Sequence, residues 1–196
     1  MGLTRAIRRD GATAAVVRSH LAGLQSVTDA WPSDEQFTEA WMTGHAYSAL
    51  NNGRIVYILS KLSETYRNSK TEQLKVTGQL TVEHLMPQAW VAHWLLSDGS
   101  RGINNPWSVP ADDPQALATR ARSAIVQTFG NLTLITGSLN SAISNGAWAT
   151  KRAAIEANSL LPINLQLRSA ETWDEVAIER RGRDLLCRAL KLWPRG

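Results

Sequence analysis

Only two short stretches of this sequence have strand character, and that limits what it can fold into. Leu80–Glu83 and FGNLTLI (129–135) are rich in β-branched and apolar residues. Elsewhere the apolar residues recur at helical spacing. Val16, Val17, Leu21 and Leu24 predict a helix over about 12–28. Ser33 followed by Gln36 has the form of a capping box and opens a second helix through about Tyr47, which Asn51-Asn52-Gly53 is expected to end. Ile55, Ile58, Leu59, Leu62 and Tyr66 mark one face of a third, and polar residues 68–75 lead from it to the first strand. Asp112 or Asp113 before Pro114 starts a helix to about Gln127. Residues 136–146 read as a polar loop or short turn, with helices over about 147–157 and 171–193 after it. The fold class is therefore α+β, predominantly helical.

Composition narrows the functional classes. The 196 residues suit one domain, or one domain with a helical extension, and 43% are hydrophobic, enough for a real core. No uncharged apolar run approaches the roughly 18 residues that cross a bilayer, and the N-terminus lacks the apolar segment of a secretory signal. No membrane partner is expected. One cysteine, Cys187, excludes an internal disulfide framework and a multi-cysteine zinc site, which points to a reducing, cytoplasmic setting. The net charge is a modest +4, but arginine dominates it and clusters at Arg5/Arg8/Arg9, Arg120/Arg122, Lys151/Arg152 and Arg180/Arg181/Arg183. Arginine forks match phosphate oxygens two at a time, so nucleic acid is a candidate partner; helix faces paired with neighbouring acids are the alternative. In the long segment SDGSRGINNPWSVPADDP, Trp107 could stack on a base or close the loop against the core.

The chemistry sits around the strands. Glu83 and His84 end the first, Asn131 opens the second, Asn140 follows in the next loop and Lys151 on the next helix. The set has no Ser or Cys nucleophile with a partner, and the phosphate-loop pattern G-x-x-x-x-G-K-[ST] occurs nowhere. It offers a base and hard oxygen donors. Those suit phosphodiester hydrolysis: a neutral imidazole takes a proton from water at cellular pH, and a divalent cation offsets charge gathering on the phosphate. A carboxylate and a carboxamide favour Mg²⁺ over Zn²⁺, with Mn²⁺ a possible substitute. Neighbouring side chains diverge at a strand end, which is a reason for Glu83 and His84 to adjoin. His20, His45 and His93 are read as structural or peripheral.

EHLMPQ (83–88), FGNLTLITGSLNSAISNGAW (129–148) with Lys151 after it, and WDEVAIERRGRDLLCRALKLW resemble the C-terminal nuclease domain of GmrSD-type modification-dependent restriction enzymes. That domain is of the HNH (His-Me finger) class and is related to the nuclease domain of phosphorothioate-sensing Ssp anti-phage proteins. The resemblance implies a ββα-metal motif, with a nuclease domain over 79–196 behind a helical extension over 1–78. It also implies a larger protein whose N-terminal half carries an NTP-binding or sensor domain. Residue by residue, it implies His84 as general base, Glu83 and Asn140 as metal ligands, and Asn131 as the residue that holds the finger loop and orients His84. Asn145 and Lys151 match later polar positions, where the lysine would contact the scissile phosphate. The last ligand position is Asn rather than the His of the better-known HNH pattern, and the cysteine pairs of zinc-stabilised relatives are missing. Arg120, Arg122, Asn145, Lys151 and Arg152 are expected along the DNA path. The function expected is metal-dependent DNA cleavage, as a nick or a double-strand break, in antiviral restriction. The alternative is a non-catalytic DNA-binding or partner-docking module on the same scaffold.

Overall fold

A computed structural model describes residues 2–24, 26, 30–68, 76, 78–143 and 145–195. Five helices come first: α1 (Leu3–Asp10), α2 (Ala14–Ala22), α3 (Asp34–Thr43), the single turn α4 (Ala46–Ala49) and α5 (Asn52–Glu64). Strand β1 (Leu80–His84), helix α6 (Pro114–Ile125) and strand β2 (Leu132–Thr136) follow, then α7 (Gly137–Ile143), α8 (Trp148–Asn158), the short α9 (Pro162–Leu165) and the long α10 (Glu175–Leu192). The protein is α+β and predominantly helical.

Local chemistry fixes most boundaries. The expected capping box forms: Gln36 N–H donates to Ser33 Oγ at 3.2 Å and Ser33 N–H to Gln36 Oε1 at 2.8 Å. Helix α3 stops at Gly44, where a Cβ would lie 2.3 Å from the Ala40 carbonyl oxygen. Asn51 therefore does not end that helix. Its Oδ1 accepts from Arg54 N–H at 2.9 Å, so the Asn-Asn-Gly motif starts α5 instead. Asp113 caps α6 with Pro114 in the first turn, and Asp174 caps α10.

Three further boundaries depart from expectation. The segment read as a loop, 136–146, contains α7; FGN (129–131) is a 3-10 turn, so the second strand starts at Leu132. Helix α1, which has few apolar residues of its own, lies ahead of α2, and α2 ends at Ala22 rather than near 28. Residues 25, 27–29 and 69–75 fall outside the described part of the chain.

The two strands pair antiparallel, from Leu80 opposite Thr136 to His84 opposite Leu132. Alternation along them divides the interior. Leu132 and Leu134, with Leu80 and Val82, face Trp41, Ile55, Leu59, Leu62 and Leu185. Ile135 joins Leu85, Met86, Trp90, Trp148, Trp173 and Ile178 in the other cluster. Helices α3 and α5 thus share a core with the strands and α10. Gly130 permits the closest approach: a Cβ there would lie 2.2 Å from the Ile178 carbonyl oxygen of α10. Among the described residues no helix is long and apolar enough to cross a membrane.

Candidate active site

His84 ends β1, and its ring is packed rather than open. Only 8% of the residue is exposed, the Tyr47 ring meets it edge-on at 4.4 Å between centroids, and Nε2 has no hydrogen-bond partner among the described residues. Burial lowers its pKa to about 4, opposed by a hydrogen bond with the Gln127 side chain and aided by the Lys151 charge. The imidazole is therefore neutral at neutral pH, the form that accepts a proton.

Asn131 holds the segment after His84. Its Oδ1 accepts from Met86 N–H at 2.8 Å and from Trp173 Nε1–H at 3.0 Å, while Nδ2 donates to the carbonyls of Met86 at 2.8 Å and Val126 at 2.9 Å. The Asn131 carbonyl accepts from Leu85 N–H at 2.9 Å. An amide side chain can satisfy four partners only when their geometry is fixed, so this one ties the chain after β1 to the turn before β2 and to the approach to α10.

Glu83 points the other way, as strand alternation requires. Its Oε1 accepts a short hydrogen bond from Lys151 Nζ on α8, and the same ammonium donates to the His84 carbonyl at 2.7 Å. Lys151 is fully buried. Burial pushes the Glu83 carboxyl up and the Lys151 ammonium down, and each opposes the change in the other through its own charge. On this face Asn140 Nδ2 donates to Thr81 Oγ1 at 3.1 Å and to the Val82 carbonyl at 3.3 Å, which keeps Oδ1 free of those contacts.

The remaining expected residues are dispersed. Arg122 was expected on a DNA-facing surface, but it is 2% exposed and donates to both oxygens of Glu175, at 2.5 and 2.8 Å, and to the Leu95 carbonyl. It also lies over the Trp90 ring, 4.9 Å from its centroid. Its role is internal: it pins the start of the long 97–113 segment to α10. Half-buried Arg152 donates to the Ala170 carbonyl at 3.1 Å, and Asn145 is exposed in the turn before α8. Arg120 stays at the surface beside Trp107. His20 is half-buried, His45 and His93 are exposed, and Trp107 is exposed rather than closed against the core.

The sequence reading missed Tyr47 and Gln127, which flank His84 from distant segments and carry no local mark. It also counted Arg181 with Arg180 and Arg183 in a cluster facing nucleic acid or solvent, whereas the structure buries it. That guanidinium is buried, donates through Nη1 to the carbonyls of Gly130 at 2.8 Å and Leu132 at 2.7 Å, and braces the turn around Asn131. A signal was available: Arg181 stands three residues after Ile178 and four before Leu185, on the apolar stripe of its helix.

The site thus joins a neutral buried histidine at a strand end, an asparagine that holds the segment after it, and an acid–lysine pair on the other face. The family model for the GmrSD restriction endonucleases, C-terminal domain, matches residues 31–187. The chain belongs to that family, whose members are nuclease domains of restriction defence acting on DNA. The match begins ahead of α3, so α3–α5 fall within it as well as within the shared core. No curated protein and no solved structure matches.

Among the described residues no group of three or more His, Cys, Asp or Glu could hold a metal ion. The fit to a hard divalent cation rests instead on two oxygen donors, Glu83 Oε2 and Asn140 Oδ1, both outside the contacts described above. Such a sparse set suits Mg²⁺, which keeps several waters and takes other ligands from a substrate phosphate.

Proposed function

We propose that this domain is an HNH-type, divalent-metal-dependent DNA endonuclease in which His84 is the general base. The observation that carries the reading is the state of His84: neutral through burial, with Nε2 unpartnered, at a strand end whose following residues, Leu85 and Met86, are held by Asn131. The neutral ring keeps Nε2 unpartnered, while Tyr47 and Gln127 hold its attitude. It takes the proton of a water as that water attacks the scissile phosphorus. The bond to the leaving oxygen breaks, the departing oxygen takes a proton from solvent, and the proton held on His84 returns to solvent. Glu83 and Asn140 would hold the cation, which supplies charge neutralisation at the phosphate when bound. Lys151 secures the Glu83 carboxylate and the His84 carbonyl, so it sets the strand end from behind. Any contribution it makes at the phosphate requires it to leave that pair.

The setting proposed is the cytoplasm, with recognition of modified DNA supplied by an N-terminal NTP-binding or sensor domain. The helical part at 1–78 and the nuclease part at 79–196 then form one compact unit, joined through the core that α3 and α5 share with the strands.

Supercoiled plasmid with Mg²⁺ or Mn²⁺ tests this. The wild-type chain should nick or linearise it, and His84→Gln should not, while DNA binding persists. One observation favours the non-catalytic module instead: Lys151 already neutralises the acid that would hold the metal. Binding without cutting by the wild-type chain, at any concentration of either metal, selects that second reading.

A further inference from the structure

The segment between Leu96 and Pro114 is fastened at both ends and free between them. Leu95 and Arg101 form an isolated bridge, Ile103 N–H donates to Thr119 Oγ1 at 3.1 Å, and Gln115 Nε2 donates to the Arg101 carbonyl at 2.5 Å. Gly102 lies against the Trp90 ring, where a Cβ would come within 2.4 Å of a ring carbon. At the far end Arg120 Nη2 donates to the Ala111 carbonyl at 2.6 Å. Pro106 and Pro110 stiffen what projects between these anchors. At its tip Trp107 is 77% exposed, the most exposed of the chain's large hydrophobic residues among those described. A tryptophan side chain ordinarily buries 150–250 Å² or so of apolar surface, so leaving one in water at the end of a braced loop calls for a ligand. The Arg120 guanidinium covers this ring, 5.1 Å from its centroid. With the cation on one side, a flat face remains for a second planar group.

We infer that Trp107, backed by Arg120, is a stacking prong for an unpaired base of the DNA substrate. The inference rests on the nuclease reading, which makes DNA the ligand. Base–aromatic stacking tolerates any sequence, and a guanidinium behind the ring fixes its attitude. Helix α6 carries Arg120 and ends two residues before Gln127, which is hydrogen-bonded to His84, so the prong and the strand end are joined through that helix. Charge does not drive the contact. Residues 97–113 hold Arg101 against Asp98, Asp112 and Asp113, a net −2, so this loop is no phosphate cradle. The prong therefore adds affinity without adding salt dependence, which separates it from an ordinary basic contact.

The test uses the full chain carrying His84→Gln and a short duplex with one unpaired 2-aminopurine, titrated over a range of salt. Trp107→Ala should weaken binding about 5- to 100-fold, leave the slope of log affinity against log salt unchanged, and abolish the quenching of 2-aminopurine seen with Trp107 present. Trp107→Phe should keep most of both. Because the ring is exposed, neither variant should move the melting midpoint. Equal affinity and equal quenching with and without Trp107 overturn the prong, as does a loss of affinity that tracks a flatter salt slope. The plasmid assay reads separately: cutting with no Trp107 effect removes only the prong, whereas stacking without cutting removes only the nuclease.

Discussion

At the scale of single residues, the two neighbours that end β1 are held by opposite physics. His84 is kept neutral by burial, with its pKa lowered to about 4 from 6.5. If it is the base, cutting should stay active down to mildly acid pH and fall only as pH approaches about 4. Tyr47 covers the ring, so Tyr47→Ala should admit water and move the acid limb of the rate–pH profile upward, toward 6.5. An unmoved limb in that variant would place the titration elsewhere. The same shift is a stability term. The unfolded chain binds this proton at a higher pH than the folded one, so stability rises with pH across the interval. The contribution is full above about 6.5, is lost as pH falls toward 4, and is on the order of 3 kcal/mol. His84→Gln should flatten that part of a melting-against-pH curve. Glu83 is instead held by a counter-charge, so Glu83→Gln leaves the Lys151 ammonium buried without one. That should cost about 3–5 kcal/mol in denaturant unfolding, with much of it recovered when Lys151→Met is added.

Between elements, the decisive contact is where the turn before β2 meets α10. Gly130 sits directly against the Ile178 carbonyl, so Gly130→Ala must part the two. Overpacking of this kind typically costs about 1–3 kcal/mol. Because the displaced turn contains Asn131, cutting should fall further than the loss of stability explains. Chemical unfolding and the plasmid assay on the same preparation check this. The contact also shows what could be read without coordinates. The strands, the capping box of α3 and the start of α6 were legible because each is written in adjacent residues. The motif order from Glu83 to Lys151 was legible as a set. The partners of those residues were not. Tyr47 reaches His84 across the fold, and Arg122 turned inward because Glu175, on another helix, pairs with it. Asn51-Asn52-Gly53 was misread because an asparagine can stop one helix or cap the next, and the choice depends on Gly44 having already ended α3.

Over the whole molecule, charge and core are distributed differently along the chain. Among the described residues of 1–30 none belongs to either buried cluster; α1 and α2 pack chiefly on each other, and Ala6 is their one buried apolar side chain. The same thirty residues carry four arginines against two aspartates, a net +2 of the chain's +4. Arg5, Arg8 and Arg9 recur at three- and four-residue spacing, so they share one side of α1, opposite Leu3 and Ile7. Removing residues 1–30 should therefore separate two properties that usually fall together. The melting midpoint of 31–196 should match that of the full chain, because neither cluster loses a described member. DNA affinity at low salt should drop, and the slope of log affinity against log salt should become shallower by about 0.9 for each phosphate contact removed. A truncated chain that melts earlier would show the first helices to be part of the core. One that binds DNA with an unchanged slope would show their arginines to face away from the duplex, leaving phosphate contact to residues beyond Ala30.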